Sequence, residues 1–241
     1  MRYLVNLSYD GSKFYGYQIQ KNKVTVEGEL EKNLSKILNC KINTTASSRT
    51  DRGVHGVSQF CHFDYDKKLD VKKLCHSLNS MIDKSIYIKK ISLVDSDFHA
   101  RYSVYKKEYI YKINIGEYNP MEKDYVFQYN KNIDKKLLDE FCSLMSGKHN
   151  FKSFTSDKDK VDYERNIKIS YKISNKIIYL KFEASGFLRY MIRNIVGLLI
   201  EINDGKKSLD DIKRIFESMD RCSLGKVGNS EGLYLNKIEF M

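Results

Sequence analysis

Apolar and polar side chains alternate from Tyr3 to Tyr9 and the alternation stops at Asp10-Gly11, which predicts a strand ended by a turn. The period then changes. Val26, Leu30, Leu34, Ile37 and Leu38 form one stripe of a helix, with Thr25 as its cap and Glu27, Glu29 and Glu31 at its positive start. Residues 57 to 65 and 85 to 94 read as strands. Between them Asp70 caps a helix in which Val71, Leu74, Cys75, Leu78 and Ile82 recur at helical spacing. A longer strand is predicted from about Arg101 to Ile115, with Tyr105, Tyr109, Tyr111, Ile113 and Ile115 on one face. Tyr109 is thereby turned inward.

The second half repeats the mixture. Asp134 opens a helix carrying Leu137, Leu138, Phe141 and Met145, with Gly147 as its left-handed cap. Strands follow at 166 to 173 and 176 to 184, then an almost wholly apolar helix from Phe187 to about Asn203. Ser208 and Asp211 start a last helix with Leu209, Ile212, Ile215, Phe216 and Met219, and Leu233 to Phe240 closes as a strand. Strands and helices alternate, but some strand connections are short. This predicts an α+β fold of mixed or antiparallel sheets, divided into an N-terminal subdomain, 1–103, and a C-terminal one, 104–241.

Composition narrows the partners. The chain has 241 residues, 41% of them hydrophobic and 30% charged, as in an ordinary folded protein. Lys and Arg outnumber Asp and Glu by 42 to 31, a net charge of +11 that draws polyanions such as RNA, DNA or an anionic membrane. The five cysteines, an odd number without a C-x-x-C pair, read as reduced, mostly buried thiols. Neither they nor the five histidines suggest a metal site. The N-terminus has no signal-like apolar segment and the longest apolar stretch, Ile195 to Ile202, is too short to span a bilayer, so a cytoplasmic protein is expected.

Two places concentrate chemistry. Ala46 to Gly56 is a loop in which Arg49 and Arg52 flank the carboxylate of Asp51, with two glycines that permit an unusual backbone. It reads either as an arginine–aspartate turn or as a site. In the apolar helix Arg189 and Arg193 stand four residues apart, either snorkelling to water or facing an anion, for which Asp51 is a candidate. The glycine-rich stretch Gly225 to Gly232 follows a helix and precedes a strand, the wrong order for a dinucleotide fingerprint, and reads as a flexible loop.

Tyr9-Asp10-Gly11 through Gln18, Thr25-Val26-Glu27-Gly28, Arg49-Thr50-Asp51-Arg52-Gly53-Val54-His55 and Phe98-His99-Ala100-Arg101 occur in order. They are followed by Lys107-Glu108-Tyr109-Ile110-Tyr111, Gly186-Phe187-Leu188, Met191 to Gly197, and Glu231 to Leu235. Taken together these segments resemble the TruA family of tRNA pseudouridine synthases over nearly the whole chain. The resemblance implies two similar α+β subdomains, their sheets flanked by helices, around a basic central cleft, and a homodimer holding RNA across both subunits. It implies tRNA rather than DNA or membrane as partner, and uridines at positions 38–40 of the anticodon stem-loop as substrate. It makes Asp51 the catalytic aspartate, Arg193 its ion-pair partner and Tyr109 the platform for the target base. Arg49 becomes the residue that fills the gap left by the flipped nucleotide, and Leu233 an apolar wall of the pocket.

The chemistry fits those types. Uracil must leave its ribose carbon, turn and rejoin through another ring atom, so the base is first extruded from its stack. A carboxylate can attack the sugar or remove a sugar proton, an aromatic face can hold the detached base, and no metal or other cofactor is required. The sequence departs from the family pattern at Ser48, Asn150 and Arg189, and of these Arg189 and the loop around Ser48 bear on contacts with the RNA. A relative modifying ribosomal RNA and a non-catalytic RNA-binding module are the competing readings.

Overall fold

The computed structural model describes residues 1–157 and 161–241, in which ten strands and five α-helices form two compact units. One unit comprises Met1–Lys107 together with Tyr234–Met241, and the other Glu108–Leu233. The last strand therefore belongs with the residues that begin the chain.

In the first unit, β1 (Arg2–Tyr9) runs antiparallel to both β3 (His55–Asp64) and β4 (Ile86–Val94), while β2 (Thr45–Ala46) pairs with β3. The final strand, Leu233–Phe240, adds parallel to β3 through Tyr234 opposite His55. Strict alternation along β1 buries Tyr3, Val5, Leu7 and Tyr9 against the helices α1 (Val26–Leu38) and α2 (Val71–Met81). Their apolar stripes supply Leu30, Leu34, Leu74 and Leu78 to the same core. Both helices start where the sequence predicts, because Thr25 and Asp70 accept hydrogen bonds from first-turn amides. The register of β1 on β3 slips between Leu7, opposite Gln59, and Tyr9, opposite Gly56. Two steps on β1 meet three on β3 there, so the extra residue lies on β3 where that strand leaves the Asp51 loop, and Tyr9 keeps the alternation of β1.

The second unit takes the greater part of β5 (Val104–Asn114), with β6 (Phe127–Gln128) parallel to its end. β7 (Gly147–Asn150), β8 (Glu164–Ser174) and β9 (Ile177–Ala184) follow in antiparallel array, so that the strand order here is β5-β9-β8-β7. Asn175 and Lys176 turn β8 into β9 with positive φ at both, as a two-residue hairpin requires. The helices are α3 (Lys135–Met145), α4 (Met191–Asn203) and α5 (Asp211–Ser218). Nine of the thirteen residues of α4 are buried, so it serves as the centre of this unit's core rather than its cover.

Four expectations change. Tyr105 is 51% exposed, since the start of β5 is not covered on that face, and its hydroxyl donates to Glu239. Gly147 does not cap α3: Ser146 ends the helix in extended conformation and Gly147 opens β7. Of the cysteines, Cys61 and Cys142 are buried but Cys40 and Cys222 are exposed. The apolar helix begins at Met191 instead of Phe187, with consequences for the arginines below. Among the described residues no helix is long and apolar enough to cross a membrane, and no group of three or more His, Cys, Asp or Glu could hold a metal ion.

Candidate active site

The Asp51 loop is held almost residue by residue. Lys107 Nζ donates to the Ser47 carbonyl at 2.6 Å, Gln59 Nε2 to the Ser48 carbonyl at 2.7 Å, and the Tyr17 amide to the Thr50 carbonyl at 3.0 Å. The Asp51 carbonyl accepts from the Val54 amide at 3.1 Å. Thr50 is buried, and its hydroxyl shares a 2.8 Å hydrogen bond with Tyr9 Oη, at the inward-facing end of β1. With these bonds made, the loop backbone has little freedom to move its carboxylate.

Two glycines explain why the chain can pack so closely here. Gly53 has φ of +80°, which lets the chain turn directly after the carboxylate. Gly16, at φ of +93°, lies under the loop: a Cβ there would stand 2.9 Å from the Thr50 carbonyl oxygen and 3.3 Å from the Asp51 carbonyl carbon. Asp51 itself is half-buried, while Arg49 and Arg52 are exposed on either side. The Arg52 guanidinium lies 4.3 Å from the centre of the Tyr15 ring. Downstream, buried His55 accepts from the Gly11 amide through Nδ1 at 3.1 Å and stacks on Tyr234 at 4.6 Å.

Burial pushes the pKa of Lys107 down to about 8, with the charge of Arg101 adding to the effect. The folded protein therefore releases this proton at a lower pH than the unfolded chain does. Between pH 8 and the ordinary lysine range the unfolded chain therefore binds a proton that the folded chain does not, and this group's contribution to stability rises with pH there.

The second unit fixes Arg193. Its Nε donates to the Gly228 carbonyl at 2.8 Å while its own carbonyl accepts from the Gly228 amide, also at 2.8 Å. Gly197, one turn on, abuts the Lys226 carbonyl so closely that a side chain there would collide with it. The Lys226 amide in turn donates to Glu201 at 3.1 Å, and Tyr111 Oη donates to the Asn229 carbonyl at 2.6 Å. The stretch read as a flexible loop is thus tied down along α4. Tyr109 is 6% exposed and meets the edge of Phe187 at 5.2 Å, and Leu233 is 5% exposed.

Arg189 and Arg193 are not on one helical face. Tyr190, at φ of 61°, breaks the chain before α4 and leaves Arg189 outside it. Instead the Tyr190 ring receives both guanidinium groups, Arg189 at 5.0 Å and Arg193 at 5.3 Å from its centre. Each unit therefore gathers part of the expected site: Asp51 and Arg49 in the first, Tyr109, Arg193 and Leu233 in the second. Sequence reasoning missed Tyr9, Tyr17, Lys107 and Tyr190. The first three lie inside the recurring segments quoted above, but their partners are 33 to 60 positions away, beyond the reach of a local pattern.

A family model described as tRNA pseudouridine synthase matches residues 7–103 and 141–241. The proteins named tRNA pseudouridine synthase A from Mycoplasma genitalium and from a Geobacillus species are 38% and 39% identical to this chain, covering 99% and 97% of it and 98% and 96% of the relatives. That of Malacoplasma penetrans is 39% identical, covering 98% of each.

Thr50→Val keeps the shape of the side chain and removes the bond to Tyr9. It should lower stability by about 1–2 kcal/mol in urea unfolding and slow single-turnover conversion by about tenfold or more, as the loop loosens, with Thr50→Ser close to wild type in both. An unchanged rate in Thr50→Val would contradict the hold on the loop. For Lys107, carbon-13 NMR of reductively methylated protein should show one lysine titrating near pH 8, with the signal absent from Lys107→Met. All lysines titrating in the ordinary range would contradict it.

Proposed function

The chain belongs to the tRNA pseudouridine synthase family, and we propose that it isomerises uridines of the tRNA anticodon stem-loop, with Asp51 as the catalytic carboxylate. The observation that carries this reading is a carboxylate presented by a loop whose carbonyls at 47, 48, 50 and 51 are all held. It supports a reaction in which one fixed group must meet one ribose.

The bond from uracil N1 to the ribose C1′ breaks, the base turns, and C5 joins C1′. The proton lost from C5 is balanced by the one gained at N1, so the change is an isomerisation with no net oxidation. Asp51 acts on the sugar, as nucleophile at C1′ or as base toward a sugar proton, and either path needs the carboxylate ionised. Arg193 is its partner, opposing the cost of keeping that charge away from water. Tyr109 takes the face of the extruded base, Leu233 excludes water beside it, and Arg49 enters the gap in the RNA stack. The net charge of +11 favours the phosphate backbone without selecting sequence. The resemblance adds that the protein works as a homodimer on tRNA.

Purified protein incubated with unmodified tRNA and ribosomal RNA transcripts should form pseudouridine in tRNA anticodon arms, mapped at nucleotide resolution. Asp51→Asn should form none. Arg193→Lys should lose most of the activity, because an ammonium does not reproduce a fork of donors. Product in ribosomal RNA alone would overturn the substrate, and full activity in Asp51→Asn would overturn the site.

A further inference from the structure

Seven non-glycine residues among those described have positive φ. Four are asparagines, which tolerate the left-handed region. Lys176 occupies the hairpin turn between β8 and β9, and Met219 ends α5. Tyr190 differs from all of these, as an aromatic residue at the start of a helix, with φ of 61° and ψ of 0°. Residues in that position normally adopt extended backbone and cap the helix with a side-chain oxygen. Tyr190 does neither, since its side chain makes no capping hydrogen bond. Its carbonyl accepts from the Asn194 amide at 2.8 Å, so α4 begins regardless.

What the conformation achieves is the placement of the ring. The backbone turn brings the half-buried ring of Tyr190 within reach of two cations, with Arg193 at 5.3 Å and the exposed Arg189 at 5.0 Å from its centre. A guanidinium over an aromatic face is attracted by the ring quadrupole. Arg193 is also held by Gly228 through Nε, which fixes one edge of its plane. The ring supplies the second constraint, restricting rotation about that edge. Unfavourable backbone geometry maintained by its surroundings is expected where a side chain is aimed for function.

We propose that Tyr190 is a positioning residue, kept in a left-handed backbone conformation so that its ring orients the guanidinium of Arg193. The inference rests on the reading of Arg193 as partner of the catalytic carboxylate, and adds the group that sets its geometry. Tyr190 touches neither the sugar nor the base in this account.

The test compares purified Tyr190→Asn, Tyr190→Phe, Arg193→Lys and the Tyr190→Asn/Arg193→Lys double variant on an unmodified tRNA transcript, with melting temperatures measured alongside. Asparagine suits the left-handed region, so Tyr190→Asn should melt at or above the wild-type temperature. Its kcat should nevertheless fall about tenfold, the factor that 1.4 kcal/mol of lost orientation represents, with KM within about twofold. Tyr190→Phe keeps the ring face and should stay within about threefold of wild-type kcat. In the double variant the change at 190 should add nothing to that at Arg193, since both act through one group. Wild-type kcat in Tyr190→Asn, beside a slow Arg193→Lys, would overturn this inference alone. A marked drop in melting temperature with unchanged kcat would also overturn it, reducing the ring to a packing group. Wild-type activity in Arg193→Lys would overturn the underlying reading of Arg193 instead.

Discussion

The hold on Thr50 is the constraint on which the Asp51 loop depends. Its carbonyl is taken by the Tyr17 amide, its hydroxyl by Tyr9 Oη, and Gly16 leaves room for the two stretches of chain to lie against each other. Each contact is ordinary in strength. Together they tie the residue before the carboxylate to the end of β1 and to the turn that follows it, so the first unit's sheet fixes the loop. A mobile carboxylate would have to be ordered during each turnover, at an entropic cost that a preorganised one avoids.

The second unit applies the same logic to a cation. Arg193 sits on the most buried helix of that unit, where a flexible charged side chain would be costly, and exchanges two hydrogen bonds with Gly228. The segment around Gly228 is in turn secured by Tyr111 and Glu201. Each unit thus fixes its own charged group through bonds made within that unit.

Much of this was legible in the residues. Thr25, Asp70 and Asp134 announced their helices because a cap is a local bond, written within three or four positions. The Asp51 loop stands out by composition, and its tie to Tyr109 and Arg193 is what the family resemblance implies. What could not be read was long-range or conformational. The bond between Tyr9 and Thr50 spans 41 positions and joins a strand end to a loop, which no local pattern reveals. An apolar run from Phe187 gives no sign that Tyr190 takes positive φ, so the pattern predicts a helix that is too long and sets Arg189 on a face it does not share. Gly147 differs from its predicted role for a related reason: a glycine with positive φ just after a helix can also open a strand.

The most direct measurement is a crystal structure of the Asp51→Asn protein bound to a uridine-bearing tRNA anticodon stem-loop. The account predicts the target uridine extruded, its ring on the face of Tyr109, and its ribose C1′ about 3–3.5 Å from the side chain at position 51, the separation of groups poised to react. The Thr50 contacts should be unchanged from those described above. A uridine bound with its ribose remote from position 51, or a loop rearranged on binding RNA, would contradict it.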